Sequence, residues 1–228
     1  MRRRLVDLVR LPTIAISACL MLAAPPLAAQ PANAPERAAS TLRKAGRALD
    51  DVARARQERK ATERYDPIFR KYTKRYFGVG TDWRLFKAQG MAESDLTPTA
   101  RSRVGARGIM QLMPSTYGLI QSALPHFGAI DNPEWNIAAG ILHDRDLWTS
   151  FKRDVPDDER WRFMFAGYNA GEGTIIRARR AALAEQLDDK TWQSIETVAP
   201  RVQRWRYAET LGYVRTIERN HKAMPRVR

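Results

Sequence analysis

The sequence predicts an all-α fold, a single helical domain of seven or so helices. Apolar residues recur three or four positions apart through most of the chain, the mark of helices that bury one face. No segment alternates apolar and polar residues as a half-buried strand does, and no internal repeat is present. Composition supplies a core for such a domain: 44% of the 228 residues are hydrophobic and 9% aromatic, more than a disordered chain carries.

The elements begin with an export segment. Met1-Arg2-Arg3-Arg4 is a positive n-region, Leu11 to Leu22 is mostly apolar, and small residues follow to Ala29. That layout reads as a secretory signal peptide over 1–29, cleaved after Ala29. The apolar run is shorter than the ~20 residues of a membrane span, and Pro25-Pro26 stops its helix. A second reading stays open, because Ile16-Ser17-Ala18-Cys19 resembles a bacterial lipobox with Cys19 as the lipidated residue. Both readings place the chain outside the cytoplasm, in the periplasm or cell envelope.

Residues 30–61 read as a Pro- and Ala-rich linker followed by a helix. The helix is expected over 40–63, packed through a thin stripe of Leu42, Leu49 and Val52. Tyr65, Ile68, Phe69, Tyr72 and Tyr76 mark a stronger helical face, ended by Gly78-Val79-Gly80. Thr81 or Asp82 caps the next helix, which runs through Trp83, Leu85, Phe86 and Met91. After a loop to Gly108, helices are expected over 109–120, 136–151, 160–168, 174–186 and 207–221. The main domain is placed at 62–222, with 223–228 as a tail.

Thirty-nine Lys and Arg against 25 Asp and Glu give a net charge of +14. Without residues 1–29, 35 basic and 24 acidic residues leave +11. For an exported chain, anionic envelope polymers or a membrane surface are then the partners that charge favours, rather than nucleic acid. One cysteine excludes a disulfide framework within the chain. There is no GxSxG elbow, HExxH helix or phosphate-cradling GxxxxGK[ST] loop. His126, His143 and His221 lack ligand spacing, so neither metal nor cofactor is expected.

What remains is a carboxylate. Glu93 stands at the end of an apolar helix, where partial desolvation raises a carboxyl's pKa and lets it protonate a leaving-group oxygen. Taken alone, such a Glu is usually a solvated charge. Its neighbourhood changes that reading. The run from Glu93-Ser94-Asp95 through Ser102, Gly105-Ala106-Arg107-Gly108 and Ile109-Met110-Gln111-Leu112-Met113-Pro114 resembles the signature of lytic transglycosylases. These are bacterial peptidoglycan-cleaving enzymes with a lysozyme-like catalytic domain. Asn132-Pro133 with Asn136-Ile137 and Gly140, then Ala166-Gly167-Tyr168-Asn169-Ala170-Gly171, then Glu209-Thr210 with Tyr213-Val214, agree in order and spacing. The Trp83-Arg84 pair is similar to that of the membrane-bound branch.

The resemblance implies a lysozyme-like domain with Glu93 as sole catalytic acid/base; the chain is expected to be a monomer. It implies that Ser102 lies near the substrate's acetamido group, and that Gln111 and Met113 line the cleft. Tyr168 and Asn169 match a pair close to the catalytic glutamate, the tyrosine being able to hydrogen-bond its carboxyl. Tyr213 matches a tyrosine of the closing helix. Met110 is read equally as substrate contact and as core filler, and so are Trp135, Trp192 and Trp205, which apart from the resemblance read as core. Gly167 stands where the family usually has alanine, a change expected to touch packing more than chemistry. The implied reaction cleaves the bond between N-acetylmuramic acid and N-acetylglucosamine without water, giving a 1,6-anhydro end. Two alternatives remain at this point: a goose-type lysozyme relative, which needs a placed second acid, and a non-catalytic glycan-binding protein.

Overall fold

The computed structural model describes residues 34–225; the signal segment and Cys19 lie outside the described residues. The described residues divide into two units, with the boundary between Ala53 and Arg54. Helix α1 (Ala34–Glu63) starts six residues before its predicted position, because the alanine-rich 34–39 favours helix over linker. Leu42, Leu49 and Val52 are 72%, 71% and 66% exposed. The stripe expected to pack is therefore open to solvent.

The second unit holds α2 (Asp66–Phe77), α3 (Arg84–Ser94), α4 (Pro114–Ala123), α5 (Pro133–Phe151), α6 (Asp157–Ala170), α7 (Glu172–Ala184), α8 (Trp192–Val198) and α9 (Tyr207–Ala223). A 3₁₀ turn, Ala199–Arg201, follows α8. Among the described residues there is no strand, only isolated bridges pairing Arg107 with Arg101 and Leu112. The all-α expectation is met. Two elements differ from it. The helix expected from Ile109 begins at Pro114, since Gly108 and Gln111 adopt positive φ (77° and 45°), which no helix accommodates. Helix α8 went unpredicted, being only 7 residues long.

α3 lies along α9, α5 against α2 and α6, and α6 against α7 and α9. Phe69, Phe86, Ile137, Ile141, Phe163 and Met164 fill the space between them with no exposed surface, each such side chain contributing about 1.5–3 kcal/mol. Trp192 and Trp205 are buried in this core, which decides for core over substrate contact, and Trp135 packs half-buried on its edge. A methyl on Gly167 would press on Leu147 and Phe151 at 3.2 and 3.4 Å. Glycine there lets α5 and α6 approach. Among the described residues no helix is long and apolar enough to cross a membrane.

Candidate active site

The site is built on the last turn of α3. Phe86, Gln89 and Gly90 are buried on one face of that helix, and Glu93 continues their three-to-four spacing. The helix stops because Asp95 and Leu96 turn left-handed (φ 51° and 58°). Leu96 N–H donates to Gly90 O at 3.3 Å and Asp95 N–H to Met91 O at 3.0 Å. Burial of the Leu96 side chain (4% exposed) holds that unfavourable backbone in place.

Glu93 is half-buried. The Tyr213 hydroxyl, arriving from α9, donates to its Oε1 at 2.5 Å. Burial pushes the Glu93 carboxyl up to about 7, against the pull of the Tyr213 hydrogen bond. No basic side chain is among the groups acting on it. Burial also drives the Tyr213 phenol well above its ordinary range, and the neighbouring Glu93 charge adds to that. Tyr213 thus remains a donor.

Tyr168 is turned elsewhere. Its hydroxyl donates to Met110 O at 2.7 Å, so the tyrosine that bonds the Glu93 carboxyl is Tyr213, in place of Tyr168. Tyr168 still lies within the field of Glu93. Asn169 accepts from Thr210 Oγ1 at 2.8 Å, and Thr210 in turn accepts from Trp205 Nε1 at 3.0 Å. This ties α6 to α9 and sets Asn169 at the surface beside Tyr168.

The loop 95–113 is fixed from beneath by Asn136. Its amide donates to Arg107 O and Ile130 O at 3.0 and 3.1 Å, and its Oδ1 accepts from Met110 N at 2.8 Å. Only glycine fits at 108 and 140: a Cβ on Gly108 would meet Asn136 at 2.5 Å, and one on Gly140 would meet Met110 at 2.7 Å. Met110 is fully buried. Its side chain is core, not a cleft contact, and its backbone serves Asn136 and Tyr168. Gln111 Nε2 donates to Gly108 O at 2.8 Å, which leaves its Oε1 as a free acceptor. Ser102 Oγ accepts from Ala106 N at 3.0 Å and retains its own proton to donate. Met113, 38% exposed at the start of α4, presents an apolar surface.

The sequence reading missed a second acid. Asp144 of α5 is fully buried, accepts from Gln89 Nε2 at 3.1 Å, and interacts with Glu93. The signal was present: Asp144 interrupts the buried stripe of Ile137, Ile141, Trp148 and Phe151, where an aliphatic residue is the default.

The Transglycosylase SLT domain family matches residues 67–191, more than half of the chain. The chain belongs to this family. Membrane-bound lytic murein transglycosylase F of Shewanella denitrificans is 30% identical over 149 residues, 64% of this chain and 28% of its own. Its counterpart in Stutzerimonas stutzeri is 32% identical over 160 residues, 69% of this chain and 31% of its own. The chain thus spans less than a third of these relatives. An inactive mutant of the lytic transglycosylase Slt of Pseudomonas aeruginosa superposes with a TM-score of 0.52 at 22% identity, over 70% of this chain and 23% of that one, which supports the fold. The SLT match ends at 191, yet α9 carries Tyr213 back to Glu93. The hydroxyl that reaches Glu93 therefore comes from a helix beyond the matched segment.

Proposed function

We propose that the chain is an exported peptidoglycan lytic transglycosylase in which Glu93 is the sole general acid/base. One observation carries the reading: a carboxyl at the end of α3, pushed up to about 7 by burial, whose Oε1 is occupied by the Tyr213 hydroxyl. With Oε1 accepting, the acid proton sits on Oε2, free to face a substrate. Near neutrality such a group gives up a proton and takes one back with little cost.

Glu93 Oε2–H protonates the glycosidic oxygen, the bond from C1 of N-acetylmuramic acid breaks, and N-acetylglucosamine leaves as an alcohol. The oxygen of the neighbouring acetamido group bonds to C1. The sugar's C6 hydroxyl then displaces it, losing its proton to the Glu93 carboxylate. Acid and base are restored and no water is consumed. The attack is intramolecular, where effective molarities reach about 10⁵–10⁸ M. Ser102, Gln111, Met113, Tyr168 and Asn169 are assigned to the glycan, with Ser102 and the free Gln111 oxygen suited to the acetamido group.

A two-carboxylate hydrolysis needs a second acid in contact with water or sugar. Asp144, whose own carboxyl is raised by burial and by the Glu93 charge, is fully buried and meets neither. The test is the product. Digested murein, reduced with borohydride and weighed by mass spectrometry, is expected to carry 1,6-anhydro muramic ends, one water lighter than hydrolysed ends and inert to reduction. Reducible muramic ends as the main product would assign a lysozyme-type hydrolase instead.

A further inference from the structure

Asp144 Oδ2 and Gln89 Oε1 are buried atoms without a hydrogen-bond partner. They belong to side chains already joined by their other atoms, Gln89 Nε2 donating to Asp144 Oδ1 at 3.1 Å. Both side chains are fully buried. A carboxylate with one oxygen unpaired by the protein in a buried interior is among the costliest arrangements a protein can hold. A carboxylic acid is not. One proton on Oδ2, donated to Gln89 Oε1, satisfies both atoms and closes a ring of two hydrogen bonds.

We propose that Asp144 is a neutral acid locked to Gln89 in this reciprocal pair, and that the pair positions Glu93. The inference rests on Glu93 being the catalytic acid. Gln89 precedes Glu93 by one turn on the same face of α3, so bonding it to α5 fixes the turn that carries the catalytic carboxyl. Burial pushes the Asp144 carboxyl well above its usual range; the Gln89 amide pulls it back, and the Glu93 charge adds to the rise. Tyr168 of α6 and Tyr213 of α9 also feel Asp144. From α2, Lys71 and Tyr72 turn to Glu134 at the far end of α5, and His143 packs on Tyr168. No basic side chain is among the groups acting on Asp144. Were Asp144 ionised, its charge would hold the proton on Glu93 and impede the first step, in which Glu93 gives that proton to the glycosidic oxygen.

The test has two arms. The infrared difference between wild type and Asp144→Asn at pH 7 is expected to carry the carbonyl band of a protonated carboxyl; carboxylate bands in its place would overturn the neutral acid. This arm needs no turnover, so it stands apart from the fate of the lytic reaction. In the second arm, Gln89→Leu/Asp144→Leu, checked for helix content, is expected to lose kcat about tenfold with KM within twofold, as misplacement of a catalytic group predicts. Asp144→Asn, which offers Gln89 the same two bonds, recovers most of that loss, and the alkaline limb of its pH profile stays at the wild-type position. Wild-type kcat in the folded double variant would overturn the positioning role. Gln89→Met, which removes both polar atoms at similar length, gives the same readout where the double variant does not fold.

Discussion

Asp82 and Glu93 flank the same 11-residue helix, and their surroundings drive them apart. Asp82 precedes α3, accepts from Arg84 N at 3.1 Å, and grips the Arg84 side chain and His221 Nε2. Burial pushes its carboxyl up, but these bonds, with those from Arg84 first, outweigh it and hold the group well below the usual range. Glu93, in the last turn, has a phenol for a partner and no cation. The helix adds to the contrast, since its N-terminal end favours negative charge and its C-terminal end disfavours it. One carboxyl is a structural ion, the other a removable proton. Side-chain type does not decide this; the presence of a guanidinium does.

The largest way to test the contrast is Glu93→Gln. It keeps the shape, removes the transferable proton, and is expected to lower cleavage of murein by ~10²–10⁴-fold. It is also expected to stabilise the fold. Glu93 is raised from 4.5 to about 7, so its contribution to stability is complete below pH 4.5 and is lost as pH rises toward 7. Above pH 7 the variant should gain up to about 3 kcal/mol over wild type, less where the cleft admits solvent. Thermal melts at pH 4 and pH 8 check this. An equal gain at both values would remove the link between burial and proton affinity.

Tyr213→Phe sharpens the same end of the helix. The Tyr213 hydroxyl favours the charged form of Glu93, so its loss raises the carboxyl further. A hydrogen bond to a charged group is worth ~1.5–3 kcal/mol, which places the alkaline limb of kcat/KM about one to two pH units higher. The limb moves because Glu93 must be protonated to start the reaction. A limb that stays or falls would mean that the α9 contact does not set the acid.

Most of the fold was legible because burial and helical spacing coincide: α2, α5, α6, α7 and α9 all lie within a few residues of their apolar stripes. Where the two part company, reading failed. Ile109, Met110 and Leu112 are as apolar and as buried as a helix face, yet they sit in a loop whose shape is decided by Gly108, Gln111 and the distant Asn136. Leu42, Leu49 and Val52 have helical spacing without burial. In the site, Glu93 was legible from its motif, but its partner was not. Tyr168 and Tyr213 are both tyrosines in motifs, and which one reaches Glu93 depends on how α6 and α9 pack. Asp144 was overlooked because a lone acid on an apolar stripe acquires meaning only beside Gln89, 55 positions away.

The smallest expected effect belongs to the other end of α3. Asp82→Asn removes a depressed carboxyl, whose stabilisation is present above the unfolded pKa of ~3.9 and lost as pH falls through the folded value. Because Asp82 is partly exposed (31% of its side chain), solvent screening reduces the loss to about 0.5–1 kcal/mol at pH 7. As pH falls from 4 to 2 the difference between variant and wild type should narrow. The pH profile of cleavage should not move at all. An α3 of 11 residues sets its two ends about 16 Å apart, and Arg84 already neutralises the Asp82 charge. If Asp82→Asn shifted the alkaline limb of Glu93, the two ends of the helix would be electrostatically coupled, and the acid would owe part of its proton affinity to the ion pair at the helix start.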